Sequence, residues 1–421
     1  MRTILLIAMF FLAAAQTSYA APLTLAEALA KRGATSQTLK IAAYDAQIAE
    51  ESIRLNRSGF LPRLDIQGGY TAQQAPQSFK SSFGTFETQN PDFAFGGLSV
   101  TQTLYDFGRT GARYERAKET SAAASLSYKG QKQDVFLRTV ATYFRILQLQ
   151  KLLLAADEEV KQMDDHLRVA QNLYEQGVVT RNDLLQAEVR LAGSRQRRLE
   201  TANLLENAWL DLNNQMGEPP EFRRELVEES RIDLAGPDKP ARDVVASRAE
   251  IQAQQKLLNA SELEVKEART GYYPELFAKL GLDYVQNDKV KEQAIMSATV
   301  GLKINLFDGL ATTSRLRQAV QNRARTEERL NQLENDLELD YRTAVNDVKV
   351  AKERIAVTET SIRQGEENLR INKDRYKEQV GTATDVIDAQ TLLTQIRTEH
   401  YQAVFDYEVA LARVKRARGE L

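Results

Sequence analysis

The chain has 421 residues, with 56 lysines and arginines against 58 aspartates and glutamates, so its net charge is −2 and no basic excess points to nucleic acid. It has no cysteine and only two histidines, which excludes a disulfide framework and a lipidated N-terminal cysteine and makes a metal site unexpected. We find no phosphate-binding loop, dinucleotide-binding turn, hydrolase motif or acid–base–nucleophile set, so we expect neither a cofactor nor an enzyme.

The first 20 residues are typical of a secretory signal peptide. Arg2 supplies the positive start, residues 4–15 the apolar segment, and Ser18 and Ala20 the small residues of a cleavage site. Removal of this segment leaves 55 basic against 58 acidic residues, a net charge of −3. No later apolar run reaches about 18 residues, so we predict no transmembrane helix in the mature chain.

The first half of the mature chain, residues 21–216, changes from helical to strand periodicity and back. Thr24 and Glu27 form a capping-box pattern at a helix start, and a helical stretch follows over residues 36–57. Apolar and polar residues then alternate over 64–73 and again over 98–105, with a loop at about 75–93 between them. This period of two predicts a β-hairpin at about 63–107.

The second half, residues 241–421, follows the same order after a polar connector at 217–240. A helix is predicted over 241–270, and a second hairpin over about 275–308.

Two sequence echoes share one offset of 202 residues. The stretch 174–188 matches 376–390 at five positions without a gap, and residues 104–106 return as 306–308. The distance from Asp106 to Asp183 therefore equals that from Asp308 to Asp385, namely 77 residues. We interpret the chain as one structural unit used twice.

The segments between these echoes predict very long helices. Residues 113–176 are nearly free of glycine and proline and would form roughly 100 Å of helix at about 1.5 Å per residue. They carry narrow apolar seams, rich in alanine, that indicate close helix–helix packing. His400 lies in such a seam, so we interpret it as a packed, hydrogen-bonded residue and not as a ligand.

Four amphipathic strands fit either a soluble core or a membrane barrel with its polar side inward. Four strands cannot close a barrel in lipid, whereas three chains with four strands each would give twelve. Aromatic residues lie at the helix-facing strand ends, where an interfacial girdle would be expected. These residues are Phe60, Tyr105, Phe107, Tyr272, Tyr273 and Phe307.

The signal peptide, the two repeats and the tip stretch Tyr376 to Gln390 resemble the TolC family of outer-membrane efflux proteins, in its non-lipidated branch. The resemblance implies an α/β membrane protein with a long α-helical coiled-coil barrel and a shared transmembrane β-barrel of twelve strands. It further implies a homotrimer in outer-membrane lipid with its helical tunnel in the periplasm. A periplasmic adaptor protein and an inner-membrane transporter are the implied partners, in a tripartite efflux or type I secretion system.

Each tip has two interpretations. Thr180 with Asp183 and Thr382 with Asp385 read as capping boxes, which accounts for all four residues without a function. Asp388 is different, because its counterpart at the 202-residue offset is the neutral Gln186. In a threefold assembly Asp385 and Asp388 would form two carboxylate rings that select cations and act as a gate, and the resemblance supports this assignment.

Other tip residues are expected to contribute contacts: Tyr174, Thr180, Arg181, Asp183, Tyr376 and Thr382. The tip arginine of the family has no match in the second copy, and Arg181 is one candidate to replace it.

The alternative function is a soluble periplasmic coiled-coil adaptor or structural protein, whose strands would form a small domain outside the membrane. The apolar strand faces and the equal-length repeat favour the passive export duct, opened at its periplasmic tip by its partners.

Overall fold

The computed structural model describes residues 21–228, 232, 240–378 and 380–421. The predicted signal peptide lies outside the described residues, as does most of the C-terminal half of the predicted connector. Within the described chain there are eight α-helices and six strands, which are numbered here in chain order. The helices are α1 Leu25–Thr35, α2 Gln37–Arg57, α3 Arg109–Glu175, α4 Arg181–Met216, α5 Ala241–Ala246, α6 Ala249–Thr270, α7 Ala311–Lys377 and α8 Ala383–Arg418. The strands are β1 Arg63–Ala72, β2 Ser78–Ser81, β3 Gly84–Glu87, β4 Asp92–Tyr105, β5 Glu275–Val285 and β6 Ala294–Lys303.

The long helices and the two predicted strand pairs are present. Helices α3 and α7 each have 67 residues, and α4 and α8 each have 36. Glu27 donates its backbone N–H to the Thr24 hydroxyl oxygen over 3.1 Å, as the capping pattern predicts. The division into two repeats with a connector stays a prediction.

Four strands form one antiparallel sheet in the order β1-β4-β5-β6. The central pairing joins the two hairpins, with Leu98 opposite Leu282 and Val100 opposite Leu280. Strands β1 and β6 are the edges, and each has 10 residues. Since neighbouring strands alternate in direction, the two edge strands run opposite to each other.

One face of this sheet is apolar from edge to edge. Ile66 on β1 lies opposite Leu98 on β4, and Leu280 on β5 lies opposite Ala298 on β6. Ile66 is 84% exposed and Leu280 57% exposed in the single chain. The other face carries polar residues such as Gln67 on β1. The predicted two-sided strands are therefore confirmed as one two-sided sheet.

The predicted loop at 75–93 was wrong in one respect, because it contains a small hairpin made of β2 and β3. Phe79 lies opposite Phe86, and the Phe83 backbone N–H binds the Ser81 hydroxyl over 3.2 Å at the turn. The side chain of Asn287, in the β5–β6 loop, donates to the Thr88 carbonyl over 2.9 Å. This contact fixes the hairpin from a distant part of the sequence.

The predicted continuous helix at 241–270 was also wrong, because Ser247 and Arg248 separate α5 from α6. Arg248 has an extended backbone (φ −68°, ψ 137°) and is 1% exposed. Its Nε donates to Glu250 over 3.0 Å and its Nη1 to the Ala417 carbonyl over 3.2 Å. At the break, the buried guanidinium thus has acceptors that offset the cost of burying its charge.

The chain divides into two compact units. One contains the described residues of the ranges Met1–Ser36, Arg138–Asp233 and Val350–Val409, and the other those of Gln37–Leu137, Leu234–Lys349 and Ala410–Leu421. The first unit holds the helix tips, with Met163, Leu191 and Ile387 in a buried cluster. The second holds the sheet, and its core contains clusters around Tyr341 and around Leu337.

No helix in the described part of the chain combines the length and the apolar character needed to cross a membrane.

Candidate functional site

The second sequence echo marks the start of each long helix. Asp106 accepts hydrogen bonds from the Gly108 N–H (3.1 Å), the Thr110 N–H (2.8 Å) and the Thr110 hydroxyl (2.6 Å). Asp308 accepts from the Thr312 N–H and hydroxyl over 2.9 and 2.7 Å. Each aspartate thus satisfies amides that a helix leaves free at its N-terminus. This explains why Asp106 and Asp308 recur at the 202-residue offset.

The backbone turns sharply at the same junctions. Phe107 (φ 57°) and Gly108 (φ 89°) follow Asp106, whereas Gly309 (φ 65°) and Leu310 (φ 69°) follow Asp308. Each junction therefore places one residue other than glycine in the left-handed region, at a cost of about 1 kcal/mol or more. The capping aspartates help to hold this bend between strand and helix.

The predicted interface aromatics lie around these junctions. Phe107 stacks on Tyr273 with ring centroids 5.0 Å apart and meets Tyr105 edge-on at 4.8 Å. Phe60 packs edge-on against Tyr114 at 5.8 Å, and the Tyr272 hydroxyl bonds the Thr313 hydroxyl over 3.0 Å. Phe307 is 81% exposed. The structure thus brings Tyr105, Phe107 and Tyr273 together; the membrane-interface role of all six stays a prediction.

The two tips form the second candidate region, and both capping boxes are present. Asp183 accepts from the Thr180 N–H over 2.9 Å and donates its own N–H to the Thr180 hydroxyl over 3.3 Å. Asp385 does the same with Thr382 over 2.9 and 3.2 Å. Hydrogen bonds from the Thr180 hydroxyl and amide lower the pKa of Asp183. Hydrogen bonds from the Thr382 amide and side chain lower the pKa of Asp385 in the same way. Both carboxylates are therefore ionised near neutral pH.

Asp388 has a partner that the sequence did not reveal. Its Oδ1 lies 3.4 Å from Nη1 of Arg190, on the other return helix. The Asp388 side chain is 68% exposed and that of Arg190 35% exposed. In the echo alignment Arg190 matches the apolar Leu392, so comparing equivalent positions could not find this contact. One signal in the sequence could have indicated it. Gln186 is the counterpart of Asp388 at the 202-residue offset, and Arg190 lies one helical turn beyond Gln186, on the same face of α4.

Arg181 makes no ion pair with any residue that the structure describes, and it is exposed. Within the protomer the arginine beside Asp388 is therefore Arg190, and Arg181 as the replacement tip arginine stays a prediction. Tyr174 is 40% exposed and Tyr376 half-buried.

A cavity of about 410 Å³ lies between the two tips. His166, Asp183, Arg190, Tyr376 and Thr382 are among the residues that line it. Burial, and secondarily the positive charge of Arg190, lower the pKa of His166. His166 is therefore neutral at neutral pH and would become a second cation beside Arg190 on acidification. The sequence analysis did not single out this residue.

His400, the other histidine, packs in the α8 seam as predicted, with its Nδ1 3.0 Å from the Thr358 hydroxyl. Among the described residues, no group of three or more histidine and acidic side chains could hold a metal ion.

Comparisons with known proteins agree with this architecture. The profile of the outer membrane efflux protein family matches residues 13–218 and 241–420. The chain is 24% identical over 362 residues to the proteases secretion protein PrtF of Dickeya chrysanthemi, covering 80% of this chain and 77% of that one. It is 24% identical over 406 residues to the outer membrane protein TolC of Vibrio cholerae, covering 91% and 88%.

Among solved structures, the outer-membrane channel OprN matches with a TM-score of 0.83 at 17% identity, over 94% of this chain and 90% of that one. The predicted fold and the predicted resemblance are thereby confirmed. Of the two functions considered from the sequence, the comparisons support the outer-membrane duct and not the soluble adaptor. The sequence profile spans nearly the whole mature sequence, so the chain belongs to the outer membrane efflux protein family.

Proposed function

We propose that three copies of this chain assemble into one duct, with a twelve-stranded barrel in the outer membrane and a helical tunnel in the periplasm. The observation that carries the proposal is the four-stranded sheet with two free edges, β1 and β6. Free edges are not viable in lipid, because their backbone groups would lack hydrogen-bond partners.

The geometry of the edges supports closure between copies. Strands β1 and β6 have equal length and run in opposite directions, so β6 of one copy can pair with β1 of the next in an unbroken antiparallel order. The apolar face would then surround the barrel and the polar face would line it. Three chains with four strands each give twelve, above the minimum of about 8 for membrane barrels.

The helices also offer surfaces for a second copy. On α2, Ile41, Tyr44, Ile48 and Leu55 are each more than 60% exposed, and their spacings of three, four and seven residues place them on one face of the helix. Such a stripe is typical of a helix that packs against a neighbour.

The experiment for this assembly is membrane fractionation followed by the native mass in detergent. A trimer in the outer-membrane fraction is expected. A monomer or dimer in that fraction would contradict the shared barrel.

The tip is proposed as the gate, with Asp385 and Asp388 forming carboxylate rings at the periplasmic entrance. Supporting this, both side chains are exposed in the single chain, and among the residues that the structure describes Asp388 forms one ion pair, with Arg190. Asp385 is held by its capping bonds, whereas Asp388 is held by an exposed ion pair, so the charge of Asp388 is the less constrained of the two.

A periplasmic adaptor protein and an inner-membrane transporter are proposed as partners that open this entrance. In addition to the tip-contact residues predicted from the sequence, the exposed apolar residues Val178 (66%) and Val380 (71%), one on each tip, are proposed as contacts of the adaptor. Val178→Asp with Val380→Asp is expected to abolish export while leaving the trimer intact. Unchanged export by this double variant would remove the proposed contact surface.

A further inference from the structure

A cavity of about 400 Å³ lies in the unit that holds the sheet, between the beginnings of α3 and α7 and the end of α6. Its charged lining consists of Arg109, Arg113, Arg116, Arg315, Glu264 and Glu267. We refer to it below as the arginine cavity. Thr312, the capping partner of Asp308, also lines it, but no assignment made above uses its charged residues.

The cavity arises from the spacing of three arginines on α3. Arg109, Arg113 and Arg116 are separated by four and three positions, so they share one face of the helix. Glu267 on α6 receives two of them: Arg113 Nε lies 2.6 Å from its Oε1, and Arg116 Nη1 lies 3.0 Å from its Oε2. Two guanidinium groups thus share a single carboxylate.

The other charges leave a positive excess. Arg109 reaches Glu275 (3.3 Å) at the edge of the cavity, and Glu264 accepts a hydrogen bond from the Asn322 amide over 2.8 Å. Arg315 makes no ion pair with any residue in the described ranges, although it lines the cavity. With Glu275 counted, four arginines face three glutamates, which leaves a net excess of one positive charge.

The position of the arginine cavity near the end of the sheet indicates what kind of anion it would bind. Arg109 begins α3 four residues after β4, and Glu275, its ion-pair partner, is the first residue of β5. The exposed aromatics Tyr272 and Tyr273 precede Glu275. This is the margin of the membrane-facing sheet, where charged headgroups meet interfacial aromatics.

We infer that the arginine cavity binds a phosphate-bearing anion. Guanidinium groups match phosphate oxygens with paired hydrogen bonds, and basic pockets between helices at a membrane margin are suited to lipid headgroups. A phospholipid headgroup and free phosphate share this chemistry. All residues of the cavity come from one chain, whereas its position at a membrane margin rests on the barrel proposed above.

The experiment uses the full mature chain purified in detergent. Native mass spectrometry measures retention of short-chain phosphatidylglycerol, with phosphatidylcholine as the zwitterionic lipid of zero net charge. Calorimetry measures the binding of inorganic phosphate. Arg315→Gln removes an uncompensated charge without breaking an ion pair, and Arg317→Gln is the matched control, exposed on the same helix and outside the cavity.

Arg315→Gln is expected to weaken binding of the anionic lipid about tenfold, as loss of one charge-assisted hydrogen bond would, whereas Arg317→Gln leaves it unchanged. The melting temperature and native mass of both variants should equal those of the parent chain. Arg116→Gln is a second variant that should also weaken binding of the anionic lipid.

A competition experiment distinguishes a lipid headgroup from free phosphate as the ligand. If inorganic phosphate does not displace the bound lipid, the ligand is the headgroup; if it does displace the lipid and also binds in calorimetry, the ligand is phosphate itself. Either result supports the site. Absence of binding in both assays, or equal losses in Arg315→Gln and Arg317→Gln, would overturn it.

Discussion

Nη1 of Arg190 lies 3.4 Å from Oδ1 of Asp388, and this contact joins return helix α4 to return helix α8. Both side chains reach solvent, so one such pair contributes only about 0–1 kcal/mol. A gate that depends on it would be weakly held in each protomer. Three copies, together with the buried contacts of Met163, Leu191 and Ile387, would give the closed tip its stability.

We predict that Asp388→Asn raises the conductance of the purified protein in planar bilayers and lowers its preference for cations. Loss of the carboxylate removes both the ion pair with Arg190 and one charge from the entrance. Arg190→Gln should raise conductance but keep the cation preference, because the acid remains. The double variant is expected to open no further than the more open single variant, since the two residues share one contact.

The matched control is Asp374→Asn, which removes an exposed acid that pairs with Arg370 on its own helix. It should leave conductance and selectivity unchanged. If Asp388→Asn behaves like this control, Asp388 is not part of the gate.

His166 predicts a pH dependence of tip stability. Its folded-state pKa lies below the ordinary 6.5, so as pH falls through about 6.5 the unfolded tip binds a proton before the folded tip does. Stability is therefore full above that pH and decreases on acidification. The groups facing the ring across the cavity include Arg190, Asp183 and Tyr376.

Hydrogen exchange of the tip amides at pH 7.5 and 5.5 measures this effect. Exchange in the parent chain, corrected for intrinsic rates, should be faster at pH 5.5, and His166→Gln should remove most of the difference. His400→Gln is the control at the other histidine. An equal pH effect in the parent and in His166→Gln would show that another group is responsible.

The two faces of β6 predict opposite outcomes for adjacent lysines. Ala298 lies on the apolar face and Ser297 on the polar face, both in the middle of the strand. Ala298→Lys should destabilise the membrane-inserted protein by about 2–4 kcal/mol, as lysine near a bilayer midplane does. Ser297→Lys should be tolerated. The amount of protein in the outer-membrane fraction compares them, and equal amounts would contradict the assigned lipid-facing side.

Removal of the capping aspartate should destabilise the two sheet–helix junctions unequally. Asp106 is 8% exposed and accepts three hydrogen bonds, so Asp106→Ala should lower the free energy of unfolding by about 1–2 kcal/mol. The more exposed Asp308 should cost less. Thermal unfolding in detergent measures both. A larger loss in Asp308→Ala would contradict the importance of burial at Asp106.

Local patterns in the sequence predicted local structure well. The capping boxes at Thr180 and Thr382 depend on residues three positions apart, and the alternation along β1 and β6 is visible strand by strand. The pairing of Leu98 with Leu282 joins residues far apart in the chain, and nothing in either strand specifies it. The β2–β3 hairpin was missed because its strands have only four residues each, too few for a clear period.

The candidate site shows the same limit. Asp388 was noticeable because its counterpart in the echo, Gln186, is neutral. Arg190 lies beyond the echoed stretch 174–188 and was overlooked, since pairing between two helices is not encoded by position in either one. The arginine cavity likewise required α3, α6 and α7 to be placed together.

The unlike tips have a consequence for how such a ring can be built. Six copies of a single half-chain would carry the same residues at every tip, so an acid at the Asp388 position would recur six times around the entrance. A chain that contains both halves can place Arg190 on one tip and Asp388 on the next. In the predicted two-repeat organisation, covalent linkage of the two halves would make alternating charge around the entrance accessible to mutation, one residue at a time.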